Sequence, residues 1–161
     1  MLDGGACSLG IESAIVDCSR DTAVLLRPGT LERSRLEAAL GQYLQEPDAN
    51  APRAPGTLAS HYAPQARVRL MSGEQISQAL GVLGPEAKAL RLGVYSRTVR
   101  RTPAGVALKP MPDDAGAAAQ ELFAVLRDFD AHGAQLIWIE HPPADPAWEG
   151  VRDRLQRAAT H

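Results

Sequence analysis

Short apolar runs separated by polar, glycine and proline positions divide the chain into recognisable elements. Glu12 to Cys18 is a β-type run centred on Ala14-Ile15-Val16, Thr22 to Leu26 is a second, and Ser19-Arg20-Asp21 supplies a turn between them. A hairpin is predicted. Beyond Gly29, Thr30 can cap a helix whose Leu31, Leu36, Ala39 and Leu40 share a face and whose end is marked by Gly41. From Gln45 to Ser60, the prolines 47, 52 and 55 and Gly56 lie among small and polar residues, which predicts an extended connector without regular structure.

From Arg67 onward strands alternate with helices. Val68 to Met71 reads as a strand, Glu74 to Leu83 as a helix, Leu90 to Tyr95 as a strand, and Val106-Ala107-Leu108 as a short strand. Asp113 and Asp114 open a long amphipathic helix carrying Ala118, Leu122, Val125, Leu126 and Phe129, and Gly133 ends it. Leu136 to Glu140 is a strongly apolar strand, and Trp148 to Ala159 a closing helix. Alternation of this kind predicts an α/β fold, a small mostly parallel sheet covered by helices on both faces over residues 67–161. It is preceded by a strand-strand-helix unit over residues 1–44 and a Pro-rich linker over residues 45–66.

The first unit is anomalous. A two-stranded hairpin with one short helix buries too little apolar surface to offset its ordering entropy, so this stretch is expected to be the end of a larger fold. Leu2-Asp3-Gly4-Gly5 agrees with that expectation, reading as a strand end that enters a glycine turn with no earlier element to pair with.

Composition narrows the function classes. Hydrophobic residues are 45% and charged residues 22% of the 161, which is that of an ordinary globule, not of a disordered chain. A formal charge of −2 offers no global attraction to nucleic acid or anionic membrane, so any RNA partner is expected to be met indirectly. Apolar runs fall far short of a membrane span, and no secretory signal precedes them, which makes a cytoplasmic location the expectation. Cys7 and Cys18 form neither a zinc-type pair nor a disulfide framework.

Candidate chemistry is sparse. Gly4, Gly5 and Gly10 could let backbone amides approach a phosphate, but no P-loop or dinucleotide fingerprint accompanies them. Ser13 could hydrogen-bond a polar substrate group at the mouth of a sheet, or be an ordinary strand serine; no nucleophile elbow surrounds it. Arg27 ends an apolar strand ahead of Pro28-Gly29, where its planar fork suits phosphate oxygens as well as a surface salt bridge. His61-Tyr62, held between prolines, offers a titratable ring and an aromatic face with a polar tip. Arg97, Arg100 and Arg101 read as a solvated basic loop, Glu140-His141 as a strand end entering a turn, and His132 as a helix C-terminal residue.

Taken together, Leu2-Asp3-Gly4-Gly5, Gly10-Ile11-Glu12-Ser13-Ala14-Ile15-Val16-Asp17, Leu25-Leu26-Arg27-Pro28-Gly29 and Pro55-Gly56 with His61-Tyr62-Ala63-Pro64 resemble the long form of threonylcarbamoyl-AMP synthase. Order and approximate spacing both match. The resemblance implies that residues 1–44 are the end of a YrdC-like catalytic α/β domain, 45–66 its linker, and 67–161 a Rossmann-like accessory domain. It implies an enzyme forming L-threonylcarbamoyladenylate and pyrophosphate from L-threonine, bicarbonate and ATP, with magnesium accompanying ATP, for threonylcarbamoyladenosine synthesis on tRNA. By position, Ser13 is then the contact to L-threonine, and Arg27 and Tyr62 the contacts to ATP. Ala14 stands where the family usually has threonine. The family's Lys-x-Arg and Ser-x-Asn segments would fall before Met1, so the isolated chain is expected to lack activity. The alternative is a non-enzymatic nucleotide-binding or protein-interaction module.

Overall fold

The computed structural model describes residues 9–56, 63–83 and 90–160. Strands β1 (Ile15–Asp17) and β2 (Val24–Arg27) form the predicted antiparallel hairpin, with Ile15 opposite Arg27 and Asp17 opposite Val24. The Asp17 carboxylate accepts from the Ser19 amide and closes the turn. All four residues of β2 are buried, and its free edge is taken by the connector: Leu25 N–H donates to the Gln45 carbonyl and Gln45 N–H to that of Ala23, both at 2.9 Å. The connector thus begins with a strand-like bridge, contrary to the expectation of irregular chain from Gln45. Buried Leu44, packed with Ala23 and Leu25, is the apolar anchor that makes the bridge form.

Helix α1 (Arg33–Leu40) begins later than its sequence predicts. Glu32, not Thr30, is its N-cap, and no side chain caps it; Gly41, at φ 69°, ends it as expected. Leu31 lies outside the helix and Ala39 and Leu40 are exposed, while half-buried Leu36 packs against Ala23, Leu25 and Leu44, so the anticipated apolar face is covered only in part. The reason for the late start is upstream: Gly29 is packed against the backbone of Glu12 to Ala14, which leaves residues 30–32 to turn the chain into the helix.

A four-stranded parallel sheet organises the rest. It consists of β3 (Arg67–Met71), β4 (Leu92–Ser96), β5 (Ala107–Pro110) and β6 (Leu136–Glu140) in the order β3-β6-β4-β5. Alternation along β4 and β6 sends side chains to two separate cores. On one face α2 (Gly73–Leu83) lays Ile76 and Leu80 over Leu92, Val94 and Trp138. On the other, α3 (Ala115–Ala131) and α4 (Glu149–Ala158) cover Val68, Tyr95, Ile137 and Ile139 with Leu122, Leu126, Phe129, Val151 and Leu155.

Local signals set the ends of these helices. Asp114 caps α3, its carboxylate accepting from the Ala117 amide at 2.8 Å, as the sequence predicts. Trp148 belongs to a short 3-10 turn, Pro146–Trp148, and α4 proper starts at Glu149, because Asp145 captures the Ala147 amide one step earlier. Among the described residues no helix is long and apolar enough to cross a membrane.

Candidate functional site

The hairpin register brings two of the sequence-predicted site residues together. Arg27 closes β2 opposite Ile15, and its guanidinium reaches back to the residue that enters β1: Nε and Nη2 donate to the Ser13 carbonyl at 3.3 and 3.0 Å. Nη1 donates to the Pro55 carbonyl at 2.8 Å, so the same side chain grips the connector. Gly56 follows at φ 76°, close enough that a Cβ there would lie 2.5 Å from Arg27 Nη1. The Ser13 side chain is exposed beside this arrangement, with its carbonyl committed and its residue free to meet solvent.

Arg27 is 6% exposed, yet among the described residues its hydrogen-bond partners are neutral carbonyls and no carboxylate forms an ion pair with it. A buried cation without a counter-charge is costly, and an anion that reaches it is bound strongly for the same reason. Three contacts engage Nε and one N–H on each terminal nitrogen, which leaves one further N–H on each for an acceptor. His61 and Tyr62 lie outside the described residues.

The connector is held again where it meets the parallel sheet. Asp130, near the end of α3, accepts from the Gln65 and Ala66 amides at 2.9 and 3.1 Å. Ala63 and Pro64 border a small cavity with Phe123, Leu126 and Arg127 of α3. Thus Arg27 and Asp130 fix the chain on either side of residues 57–62. Nothing local in the sequence marked Asp130 for this.

A second polar cluster sits at the carboxyl ends of β4 and β6, where open parallel sheets commonly bind ligands. Its centre is Glu140, 4% exposed, whose Oε2 accepts from the Ser96 hydroxyl at 2.5 Å and from the Thr98 hydroxyl and the Arg97 and Thr98 amides at 2.9 Å. Burial raises the carboxyl's affinity for a proton, but these hydrogen bonds outweigh it and hold the pKa below the ordinary glutamate value. Gly73 closes the space above, since a Cβ there would lie 2.1 Å from the Thr98 hydroxyl. These hydrogen bonds to Glu140 Oε2 pin the loop after β4. Arg97 is part of it, 3.5 Å from Glu140 and stacked over Trp148 at 5.8 Å, whereas Arg100 and Arg101 are exposed. His141 is exposed at the turn, and His132 caps α3 with its ring against the Asp128 carbonyl. Cys18 is free and exposed.

A four-stranded parallel sheet with helices on both faces, joined to an antiparallel hairpin that carries a buried arginine, defines the class: a Rossmann-like α/β unit with an appended sheet fragment. The family model for the threonylcarbamoyl-AMP synthase C-terminal domain matches residues 31–160, and the chain belongs to that family. Its relatives include the threonylcarbamoyl-AMP synthase of Bacillus subtilis, 31% identical over 176 residues, covering 99% of this chain and 48% of the relative. That of Schizosaccharomyces pombe is 27% identical over 182 residues, covering 99% and 45%. Among solved structures, the crystal structure of P. abyssi Sua5 complexed with L-threonine superposes with a TM-score of 0.80 at 25% identity, covering 98% of this chain and 48% of that one. The chain spans about half the length of the relatives it matches.

Proposed function

We propose that this chain is the C-terminal portion of a threonylcarbamoyl-AMP synthase, contributing one wall of the active site, the linker and the accessory domain. Residues 1–44 are the end of the catalytic domain, 45–66 the linker and 67–161 the accessory domain. The observation that carries the reading is the buried guanidinium of Arg27, unpaired with any carboxylate among the described residues and set 3.0 Å from the Ser13 carbonyl. It is a site prepared for the anionic part of ATP, with Ser13 beside it for L-threonine; Tyr62, outside the described residues, is assigned to the nucleotide by the family resemblance alone. The relative solved with L-threonine supports threonine as the ligand class.

In this reading the amino group of L-threonine takes up the carbon of bicarbonate as a carbamate, with loss of water. A carbamate oxygen then bonds to the α-phosphorus of ATP as the bond to pyrophosphate breaks. Such chemistry calls for alignment and charge stabilisation more than for a protein nucleophile. Arg27 supplies charge and Ser13 a hydrogen bond. Magnesium is expected to accompany ATP, bound through its phosphates. The product serves threonylcarbamoyladenosine formation on tRNA, which this chain does not itself contact, and the setting is cytoplasmic.

A polypeptide of these 161 residues alone is expected to bind ATP weakly and not to turn over. Calorimetry with ATP and with L-threonine, and pyrophosphate release in the presence of both with bicarbonate, test this. Binding lost in Arg27→Met and Ser13→Ala supports the assignment. Binding equal to that of the parent in both variants overturns the site, and robust pyrophosphate release overturns the expectation of inactivity.

A further inference from the structure

The last helix reaches the proposed substrate segment directly. Arg154 of α4 is 3% exposed, and both its Nε and its Nη2 lie 2.9 Å from Glu12 Oε2. Its remaining terminal nitrogen, Nη1, is held by Asp153, which also receives Arg157, so the guanidinium is fixed on two sides. Glu12 is the residue immediately before Ser13. The contact is reinforced by backbone packing: a Cβ on Gly150 would lie 2.5 Å from the Gly29 carbonyl oxygen, and a Cβ on Gly29 would lie 2.3 Å from the Ala14 nitrogen and 2.7 Å from the Ser13 carbonyl carbon. Three layers of backbone are thus stacked, α4 on residue 29 on residues 12–14. Ile11, one residue further back, is buried in the core under α3 and α4.

These contacts form one continuous polar path. Arg154 holds Glu12, the adjoining Ser13 carbonyl holds Arg27, and Arg27 holds the Pro55 carbonyl. A buried guanidinium hydrogen-bonded through Nε to a carboxylate oxygen, with Nη2 at ion-pair distance from the same oxygen, has less freedom than a fully exposed ion pair. We propose that Arg154 is a positioning residue: through Glu12 it sets the Ser13 backbone and thereby the orientation of the Arg27 guanidinium and of the connector entrance that Arg27 holds. Its value for substrate binding rests on the function proposed above; the geometric coupling does not. The C-terminal unit is then more than a passenger, since it supplies the clamp that orders the anion-binding arginine.

The test uses the full 161-residue chain and reads Arg27 itself. In ¹⁵N spectra the Arg27 Nε–H, bonded to the Ser13 carbonyl, should exchange slowly with solvent. In Arg154→Met its exchange should accelerate about tenfold or more and the Ser13 amide should shift. Because Arg154→Met withdraws a buried cation from Glu12 and from Asp153 and can unfold the chain, Glu12→Gln provides the gentler variant, expected to move the same two signals. Glu149→Gln removes a different pair between the first unit and α4, Arg33 to Glu149 at 3.0 Å, and should leave both signals where they are. Unchanged Arg27 exchange in folded Glu12→Gln overturns the proposal. So does equal acceleration in Glu149→Gln, which would show a general loosening of the interface. L-threonine and ATP are titrated into parent and Glu12→Gln in the same experiment. A loss of affinity in Glu12→Gln supports the role in binding. Absence of binding to the parent overturns the proposed function, while the exchange comparison still decides the coupling.

Discussion

Glycine-to-alanine replacement at two helical positions should have opposite effects, and the structure says why. Gly81 lies inside α2, exposed, with open space where a Cβ would go. There alanine removes backbone freedom from the unfolded chain and clashes with nothing, so Gly81→Ala should stabilise by about 0.5–1 kcal/mol. Gly150 is also helical, the second residue of α4, but its Cβ would stand 2.5 Å from the Gly29 carbonyl oxygen, 2.6 Å from Ile11 Cδ1 and 3.1 Å from the Gly29 carbonyl carbon. Two of those neighbours are backbone, held in turn against residues 12–14, so relief requires the first unit to move away from α4. Overpacking of this kind costs about 1–3 kcal/mol, from which the helical gain of alanine, about 0.5–1 kcal/mol at most in a first turn, must be subtracted. The net expectation is a loss of up to about 2.5 kcal/mol, centred on about 1 kcal/mol, or a melting temperature lowered by roughly 2–4 °C per kcal/mol in a chain of this size. Urea denaturation followed by circular dichroism at fixed m-value measures both variants. A Gly150→Ala protein as stable as Gly81→Ala would refute the close packing of α4 on the first unit.

Two further outcomes follow from buried polar contacts. Because the folded pKa of Glu140 is depressed, the unfolded chain binds the proton more readily; stability contributed by Glu140 is fully present above the unfolded value of about 4.3 and is lost as pH falls from there through the folded value. Urea midpoints between about pH 3 and pH 6 should therefore fall more steeply toward acid in the parent than in Glu140→Gln, and parallel curves would remove Glu140 from the account. Asp130→Ala takes the acceptor from the Gln65 and Ala66 amides, a loss comparable to that of a helix cap, about 0.5–2 kcal/mol. Hydrogen exchange at those two amides should quicken while the β6 amides keep their protection; unchanged exchange at both would show that the carboxylate is not their anchor.

Much of the fold was legible because its signals are local. The apolar run at Leu136–Glu140 is the strand β6, Asp114 and Gly133 bound α3 where they were expected to, and Ser19-Arg20-Asp21 turns a hairpin. The approach of Arg27 to Ser13 was within reach too, since a hairpin about that turn places Arg27 opposite Ile15. Thr30 misled because a capping residue acts only if the next residue can enter the helix, and Gly29 is held elsewhere. Gln45 misled because the open edge of β2 offers it two backbone partners that no composition reveals.

The sequence by itself determined the element types, the α/β class and the family, through periodicities and motifs that span a few residues each. Tertiary structure alone decided that Glu12 belongs to Arg154, 142 positions away, that Asp130 holds Gln65 and Ala66, and that the Pro55 carbonyl is an acceptor for Arg27. A buried charge must find partners, but its partners are chosen by which backbones the core brings within about 3 Å, and that distance is a property of the packed molecule rather than of any stretch of chain.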